Sequence, residues 1–178
     1  MHLVLHRHRD TPCEAVTGIA VEVARSATGL LHLSYTANGE IAGLCLPPPA
    51  TPVRTDDLWR HTCFEAFLGP VPGTAYLEFN VAPSTQWAAY HFDFYRAGMR
   101  PEPAAPRIAV QATASTFTLD VTLDLASLPR APWRLGLTAV IEEKTGRKSY
   151  WALAHPPGKP DFHHADCFAA QIAAASGS

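Results

Sequence analysis

The sequence predicts an all-β protein with the architecture of an antiparallel β-sandwich. About ten short segments alternate apolar and polar residues at the two-residue period of a strand, and turns rich in Gly and Pro separate them. No segment shows a helical period over ten or more residues. Residues 117–125 alternate without a break, which is typical of a strand with one face on a core and the other toward water or a ligand. Together these observations favour two packed antiparallel sheets.

The expected strands follow one another along the whole chain. Asn38-Gly39 is a favoured dipeptide of tight hairpins because both residues accept positive φ, so we expect a hairpin there. A short helical turn is predicted at 124–128, and proline-rich loops are predicted at 47–57 and 96–106. The predicted strands lie at 18–25, 29–37, 40–46, 61–68, 75–82, 86–95, 108–113, 117–125, 133–142, 148–154 and 167–172.

Length and charge limit the organisation and the partners. The 178 residues fit one domain, expected at 1–172, with a disordered tail at 173–178. A net charge of −2 without a basic stripe argues against a nucleic-acid partner. The first apolar run is too short for a signal peptide, and no run approaches the roughly 20 residues of a spanning helix. We therefore expect a cytoplasmic protein without a membrane partner, and its oligomeric state stays open.

The cysteines do not indicate a metal knuckle or a redox pair. Cys13, Cys45, Cys63 and Cys167 share no C-x-x-C spacing, so we expect reduced thiols packed as small apolar residues. Cys63 lies two residues from His61, which would place both on one face of a strand, but packing explains this cysteine more simply. A G-x-S-x-G motif is also absent. We therefore favour a protein without catalytic activity.

A stiff loop follows the strand that begins near Tyr150. Polar side chains crowded on a rigid loop at the end of a strand are a common way to build a site. A transition metal could use three of them, although no fixed ligand spacing supports it. Haem would need an axial pair, and neither the histidines nor Met99 indicate one. We expect no cofactor, with haem or a divalent metal as the alternative. The polar residues of the loop are His155, Lys159, Asp161, His163, His164 and Asp166.

Polar residues also interrupt two apolar strands. If the strands at 61–68 and 75–82 pair, Glu65, Glu78 and Asn80 can share one face. Buried carboxylates need partners, which Arg60, Arg96 or Lys148 could supply.

The tryptophans offer apolar walls for a ligand. Trp133 is in phase with the core residues of its strand, whereas Trp59 and Trp151 adjoin polar loops and are expected to be exposed. Sugars stack on such rings while carboxylates, amides and basic side chains bind their hydroxyls.

Four segments resemble a known group of domains. They are DDLWRHTCFEAFLG, YLEFNVAPSTQWAAYHFDFYR, WRLGLTAVIEE and SYWALAHPPGKPDFHHADCF. From about Gly29 onward the chain resembles a bacterial DOMON-like domain, a group similar to family 9 carbohydrate-binding modules and to haem- or sugar-binding DOMON domains. The resemblance implies an immunoglobulin- or jelly-roll-like β-sandwich. In the carbohydrate-binding relatives two aromatic side chains clamp a terminal sugar, which implies Trp59, beside Glu65, and Trp151 in this chain.

The resulting hypothesis is a non-catalytic binding module for a small polar ligand, with a carbohydrate as the first candidate. A haem- or metal-binding domain using the histidines of 155–166, or an interaction domain without a ligand, is the alternative. The predicted ligand-binding residues are Trp59, Arg60, Glu65, Glu78, Asn80, Trp87, Trp151, His155, Asp161 and His163.

Overall fold

The computed structural model describes residues 1–126, 128 and 131–174. These residues form twelve strands, and every pairing between them is antiparallel. No helix among the described residues has the length and apolarity needed to cross a membrane. The strands are β1 (His2–Arg7), β2 (Val16–Arg25), β3 (Leu30–Gly39), β4 (Cys63–Pro70), β5 (Tyr76–Val81), β6 (Trp87–Phe92), β7 (Arg100–Pro101), β8 (Arg107–Ala112), β9 (Thr116–Asp124), β10 (Trp133–Glu142), β11 (Lys148–Ala152) and β12 (Ala170–Ile172).

The strands form one curled sheet that folds into two layers. Its order is β7-β6-β5-β4-β10-β11-β1-β2-β3-β9-β8, and β12 pairs with the start of β10. Strand β1 joins the layers, because residues 2–5 pair with β2 whereas His6 and Arg7 pair with β11. The first layer therefore holds β2, β3, β9 and β8, and the second holds β11, β10, β4, β5 and β6. The predicted all-β sandwich is confirmed.

Aromatic rings fill the space between the layers. The ring of Phe64 on β4 stacks on Phe117 of β9 at 5.6 Å and meets Tyr35 of β3 at 5.3 Å. The Tyr35 hydroxyl donates a hydrogen bond to the backbone oxygen of Glu65 at 2.7 Å. Trp133 also belongs to this buried cluster, as its strand phase predicted. The alternating apolar residues of both layers thus meet in one core.

The second layer is buried on both of its faces. Along β4, Phe64 faces the core between the layers, whereas Phe67 belongs to a separate apolar cluster on the outer face. Phe162, from the loop after β11, belongs to that outer cluster too, and Phe168 packs against it. Because the segment after β11 covers this sheet face, the face can hold polar side chains away from bulk water. This covered outer face carries the candidate site.

The structure corrects the hairpin predicted at Asn38-Gly39. Strand β3 continues to Gly39, and residues Ile41–Gly43 form a single 3₁₀ turn in place of a returning strand. The partners of β3 are instead β2, which precedes it, and β9, which follows much later in the chain. Gly39 adopts φ +150° beside Ala15, where an added Cβ would lie 1.9 Å from the Ala15 oxygen. Glycine is therefore needed at position 39 because the Ala15 backbone leaves no room for a side chain.

The other strand boundaries differ less from the predicted ones. Strand β1 was not predicted, and β12 is shorter than expected because residues Ala165–Cys167 form a 3₁₀ turn. The helical turn predicted at 124–128 falls partly on residue 127, and the tail predicted at 173–178 falls mostly on 175–178. Residue 127 and residues 175–178 lie outside the described residues, whereas the Leu128 N–H donates to the Leu125 oxygen at 3.0 Å within the predicted turn.

Candidate functional site

A row of polar side chains crosses the outer face of the second layer. Glu65 on β4 pairs with Thr138 of β10 on one side and with Asn80 of β5 on the other. Glu78 lies two residues from Asn80 and therefore projects from the same face, diagonally opposite Glu65. We call Glu65, Glu78, Asn80 and Thr138 the polar row. The predicted pairing of the two strands thus places both carboxyl groups and the amide together.

The side chains of the polar row are almost completely buried. Glu65 is 3% exposed, Glu78 6% and Asn80 1%. The Asn80 Nδ2 group donates to Glu78 Oε1 at 2.7 Å, and the Thr138 hydroxyl donates to Glu65 Oε2 at 3.2 Å. The row thus consists of two hydrogen-bonded pairs, Asn80 with Glu78 and Thr138 with Glu65, side by side in a desolvated place.

One acceptor of the row has no partner. With its nitrogen directed at Glu78, Asn80 leaves its buried Oδ1 without a hydrogen bond to any residue that the structure describes. Unsatisfied buried polar atoms are uncommon in folded proteins because each costs free energy. The amide oxygen is therefore available to a donor from a bound molecule.

The two carboxyl groups also lack a cationic partner among the described residues. Glu65 has no ion pair within 4.0 Å, and Glu78 has only the His163 Nε2 atom at 3.9 Å. The basic residues considered as partners lie in other pairs. Arg60 lies 3.4 Å from Asp57, Arg96 lies 2.8 Å from Asp161, and Lys148 lies 3.8 Å from Glu142.

Burial changes the protonation of the row. It raises the pKa of Glu65 well above its usual range, and the charge of Glu78 raises it further, while the Thr138 hydrogen bond and the charge of Arg96 oppose this. Burial likewise raises the pKa of Glu78 to about 7, against the Asn80 hydrogen bond and the charge of Arg96. The free site therefore retains protonated carboxyl groups near neutral pH.

A histidine from the covering loop lies beside the row. Burial, together with the positive charge of Arg96, lowers the pKa of His163 to about 4, so its imidazole is neutral at pH 7. Its Nδ1 atom lies 2.8 Å from the Tyr76 hydroxyl, which accepts a hydrogen bond from the Arg96 backbone N–H at 3.2 Å. If Tyr76 donates to Nδ1, the protonated Nε2 atom faces Glu78.

Asp161 anchors the covering loop over this face. Its carboxylate accepts hydrogen bonds from the Tyr95 hydroxyl at 2.6 Å and from the Arg96 guanidinium at 2.8 Å. The ring of His163, two residues later, meets Phe67 edge-on at 5.3 Å. The hairpin tip at 93–98 and the loop after β11 are thus held together at one border of the row.

A second loop, at 54–61, forms the opposite border. The Tyr90 hydroxyl of β6 donates to Asp56 at 2.6 Å. A 3₁₀ turn, Leu58–Arg60, contacts the strands of the row and leaves Trp59 51% exposed. The Arg60 guanidinium lies over the Trp59 ring at 5.3 Å. This border therefore presents a flat aromatic ring and a cation to the solvent.

The structure separates three of the predicted residues from the row. Trp151 is 4% exposed and packs in the core between the layers, because Tyr150 and Ala152 take the outward positions of β11. This corrects the expected clamp of Trp59 with Trp151. Trp87 belongs to the same core. His155 lies beside β1, with its Nε2 atom 2.8 Å from the His6 backbone oxygen.

The remaining predicted residues lie on the row or at its borders. Glu65, Glu78 and Asn80 form the row, His163 and Asp161 belong to the covering loop, and Trp59 and Arg60 form the opposite border. Sequence reasoning missed Tyr76, Tyr90 and Thr138. The period of β5 could have indicated Tyr76, since it is in phase with Glu78 and Asn80. Thr138 can be assigned to the site only once the pairing of β10 with β4 is known.

Metal ligation finds no support in this arrangement. Within the described part of the chain, no three His, Cys, Asp or Glu side chains are grouped so that they could hold a metal ion. His155 lies beside β1 and His163 beside β5, so the histidines of the loop diverge.

No protein-family model matches this chain, and no curated protein matches it. Two solved structures share its fold. One is a protein from Bacteroides uniformis ATCC 8492 for which carbohydrate binding has been suggested. It is 11% identical over 92% of this chain and 82% of its own, with a TM-score of 0.62. The other is a family 9 carbohydrate-binding module from Caldicellulosiruptor kristjanssonii in complex with cellotriose. It is 8% identical over 86% of this chain and 74% of its own, with a TM-score of 0.54. The chain therefore has the β-sandwich fold of these two structures.

Proposed function

We propose that this protein is a non-catalytic binding module for a small polar ligand, with a carbohydrate as the first candidate, and that it is related to the DOMON-like domains. The observation that carries the proposal is the polar row, which combines buried acceptors with an amide oxygen that has no partner. Ligand sites characteristically join a few placed polar groups to apolar walls. Exposed Trp59 and Tyr95, on the two border loops, would supply those walls.

The shared fold supports this proposal. Carbohydrate binding is ascribed to one structural neighbour, and the other is a carbohydrate-binding module in complex with cellotriose. We further propose that the protein is cytoplasmic and carries no haem or metal. Absorption spectra and elemental analysis of the purified protein test the second point, because a Soret band or a stoichiometric metal would contradict it. Native mass spectrometry of the protein as isolated would identify a ligand that is carried along.

The direct test combines ligand screening with a variant. We expect some members of a panel of monosaccharides and oligosaccharides to raise the melting temperature and to change the tryptophan fluorescence. Trp59→Ala should weaken that binding by roughly ten-fold, the usual size of an aromatic contact at a binding site. Val4→Ala, which truncates an exposed apolar side chain on β1, is the control. If no sugar shifts the melting temperature and Trp59→Ala leaves the fluorescence response unchanged, the carbohydrate proposal loses its support.

A further inference from the structure

Among the described residues, no Arg or Lys forms an ion pair with Glu65 or Glu78, although the charge of Arg96 lowers the pKa of both carboxyl groups. Arg60 and Lys148 each have an acidic partner elsewhere, and Arg96 is held by Asp161 at 2.8 Å. Removing carboxylates from water without such a partner is costly. The fold nevertheless holds Glu65 and Glu78 at diagonal positions on adjacent strands. A bound molecule can supply a cation in direct contact with the two carboxyl groups, which the described part of the protein does not place there.

Asn80 gives an independent indication of the ligand's chemistry. Its Oδ1 atom is buried and without a partner, and it can only accept hydrogen bonds. Together with Glu65 and Glu78 it makes three acceptors on neighbouring positions of one face. A hydroxyl group offers one hydrogen to such a set, whereas a primary ammonium group offers three and also carries the missing charge.

We propose that the ligand of the polar row carries a protonated primary amine, which donates to Glu65, Glu78 and Asn80. This inference rests on the proposed binding function and names the ligand class. An amino sugar and an aliphatic amine share this chemistry. The Tyr90 ring, beside Glu78, and the exposed Trp59 ring already lie under the guanidinium groups of Arg54 and Arg60, so the polar row and not these rings would bind the ammonium group.

Binding of an amine should release protons from the row. In the free protein burial keeps the carboxyl groups protonated near neutral pH, whereas an ammonium group stabilises their ionised forms. Isothermal titration calorimetry in two buffers of different ionisation enthalpy would measure the release, which should be about one proton per amine bound. The other titratable and charged groups around Glu65 and Glu78 are Cys63, Tyr35, Tyr76, Tyr90, Arg96, Asp161 and His163.

Calorimetry with matched probes tests the inference. At about pH 6.5 the nitrogen of D-glucosamine is protonated, and the solutions contain EDTA to exclude metal effects. We expect D-glucosamine to bind about ten-fold or more tightly than D-glucose and N-acetyl-D-glucosamine, because charge-assisted hydrogen bonds replace neutral ones. Glu65→Gln and Glu78→Gln should remove this preference. Glu22→Gln, which changes an exposed glutamate on the other layer, should retain it.

The outcomes separate this inference from the broader proposal. Equal binding of D-glucose and D-glucosamine would overturn the amine inference while leaving a carbohydrate module intact. Binding of putrescine in place of D-glucosamine would support the amine and contradict the sugar. Failure of both amines would overturn the inference, and the sugar panel would then judge the proposed function separately. A preference for D-glucosamine that survives in Glu78→Gln would also contradict it, because the charge would then be recognised elsewhere.

Discussion

At the scale of single residues, the site is distinguished by two buried acids, Glu65 and Glu78, which form no ion pair with an Arg or Lys of the described chain. Glu65 and Glu78 lie on a face that also holds the apolar cluster of Phe67, Tyr76 and Phe92. An apolar residue at either position would be expected to stabilise such a face, because burying a carboxyl group without a cation opposes folding. The presence of Glu65 and Glu78 is therefore more simply explained by a role in ligand binding than by a contribution to stability.

The pH dependence of stability should reveal the buried acid at position 78. In the folded protein the pKa of Glu78 is about 7, whereas the ordinary pKa of a glutamate is 4.5. Ionisation of the buried Glu78 carboxyl group therefore destabilises the fold: this cost is absent below about pH 4.5 and increases as pH rises through 7, to on the order of 3 kcal/mol in total. Glu78→Gln should become more stable relative to the wild type over that range, as measured by urea unfolding at several pH values.

Two comparisons make this measurement specific. His163 titrates with the opposite sign, since its pKa of about 4 lies below the ordinary 6.5, so its contribution increases as pH rises between those values. Comparing Glu78→Gln with the wild type at each pH removes that background. Exposed Glu22, changed to Gln, should show no such trend. A constant difference between Glu78→Gln and the wild type from pH 4.5 to about 8 would mean that Glu78 ionises normally.

At the scale of structural elements, loops decide how the polar row meets the solvent. The loop after β11 covers part of the outer face through Phe162 and His163. Its attachment to the hairpin tip depends on Asp161, whose carboxylate accepts from both Tyr95 and Arg96. Because loops are generally less stable than the strands they connect, this attachment is the expected point of local opening.

Loosening this attachment should change the covering loop more than the fold. The Asp161 carboxylate accepts from Tyr95, Arg96 and the His163 backbone N–H, and Asp161→Asn removes its charge and one of its two acceptor oxygens, so we expect a loss of about 1 kcal/mol in the free energy of unfolding. Hydrogen exchange of residues 161–168 should accelerate, while that of β4 and β5 stays unchanged. Asp93→Asn removes an exposed ion pair with Arg100 and is the matched control. Unchanged exchange in 161–168 would show that the carboxylate does not hold the loop.

At the scale of the whole molecule, the site depends on how the two layers join. The Tyr35 hydroxyl on β3 bonds the backbone oxygen of Glu65 on β4, so the first layer supports the strand that carries the row. Tyr35 and Glu65 are both buried, and the Phe64 ring contacts Tyr35 and Phe117 in the core between the layers. This hydrogen bond links the sandwich core directly to the backbone of the site.

Removing that link should cost measurable stability. Tyr35→Phe leaves the Glu65 oxygen without this donor, and we expect the free energy of unfolding to fall by about 1–2 kcal/mol with an unchanged denaturant slope. Tyr150→Phe is a suitable control, since the structure shows no hydrogen bond from its hydroxyl to the described residues. Equal stabilities of the two variants would mean that the hydrogen bond between the layers contributes nothing.

Part of the site could be predicted from the two-residue alternation of the strands alone. Glu65 on β4 and the pair Glu78 and Asn80 on β5 follow the two-residue alternation, so their common face could be predicted once the strands were assumed to pair. Trp151 could not be placed this way, because Tyr150 and Trp151 are equally compatible with either face. A shift of one residue in pairing reverses the faces of a strand. Only the packed core determines which ring turns inward.

The amino-acid sequence by itself determined that this protein is built of short antiparallel strands, because alternation and turn chemistry are local properties of the chain. Tertiary structure decided that Asn38-Gly39 ends β3 without a hairpin, and that Thr138 joins Glu65. It also decided that the basic side chains pair away from the carboxyl groups. These facts depend on residues distant in the chain, whose contacts form only when two sheets pack and the loops cover one outer face.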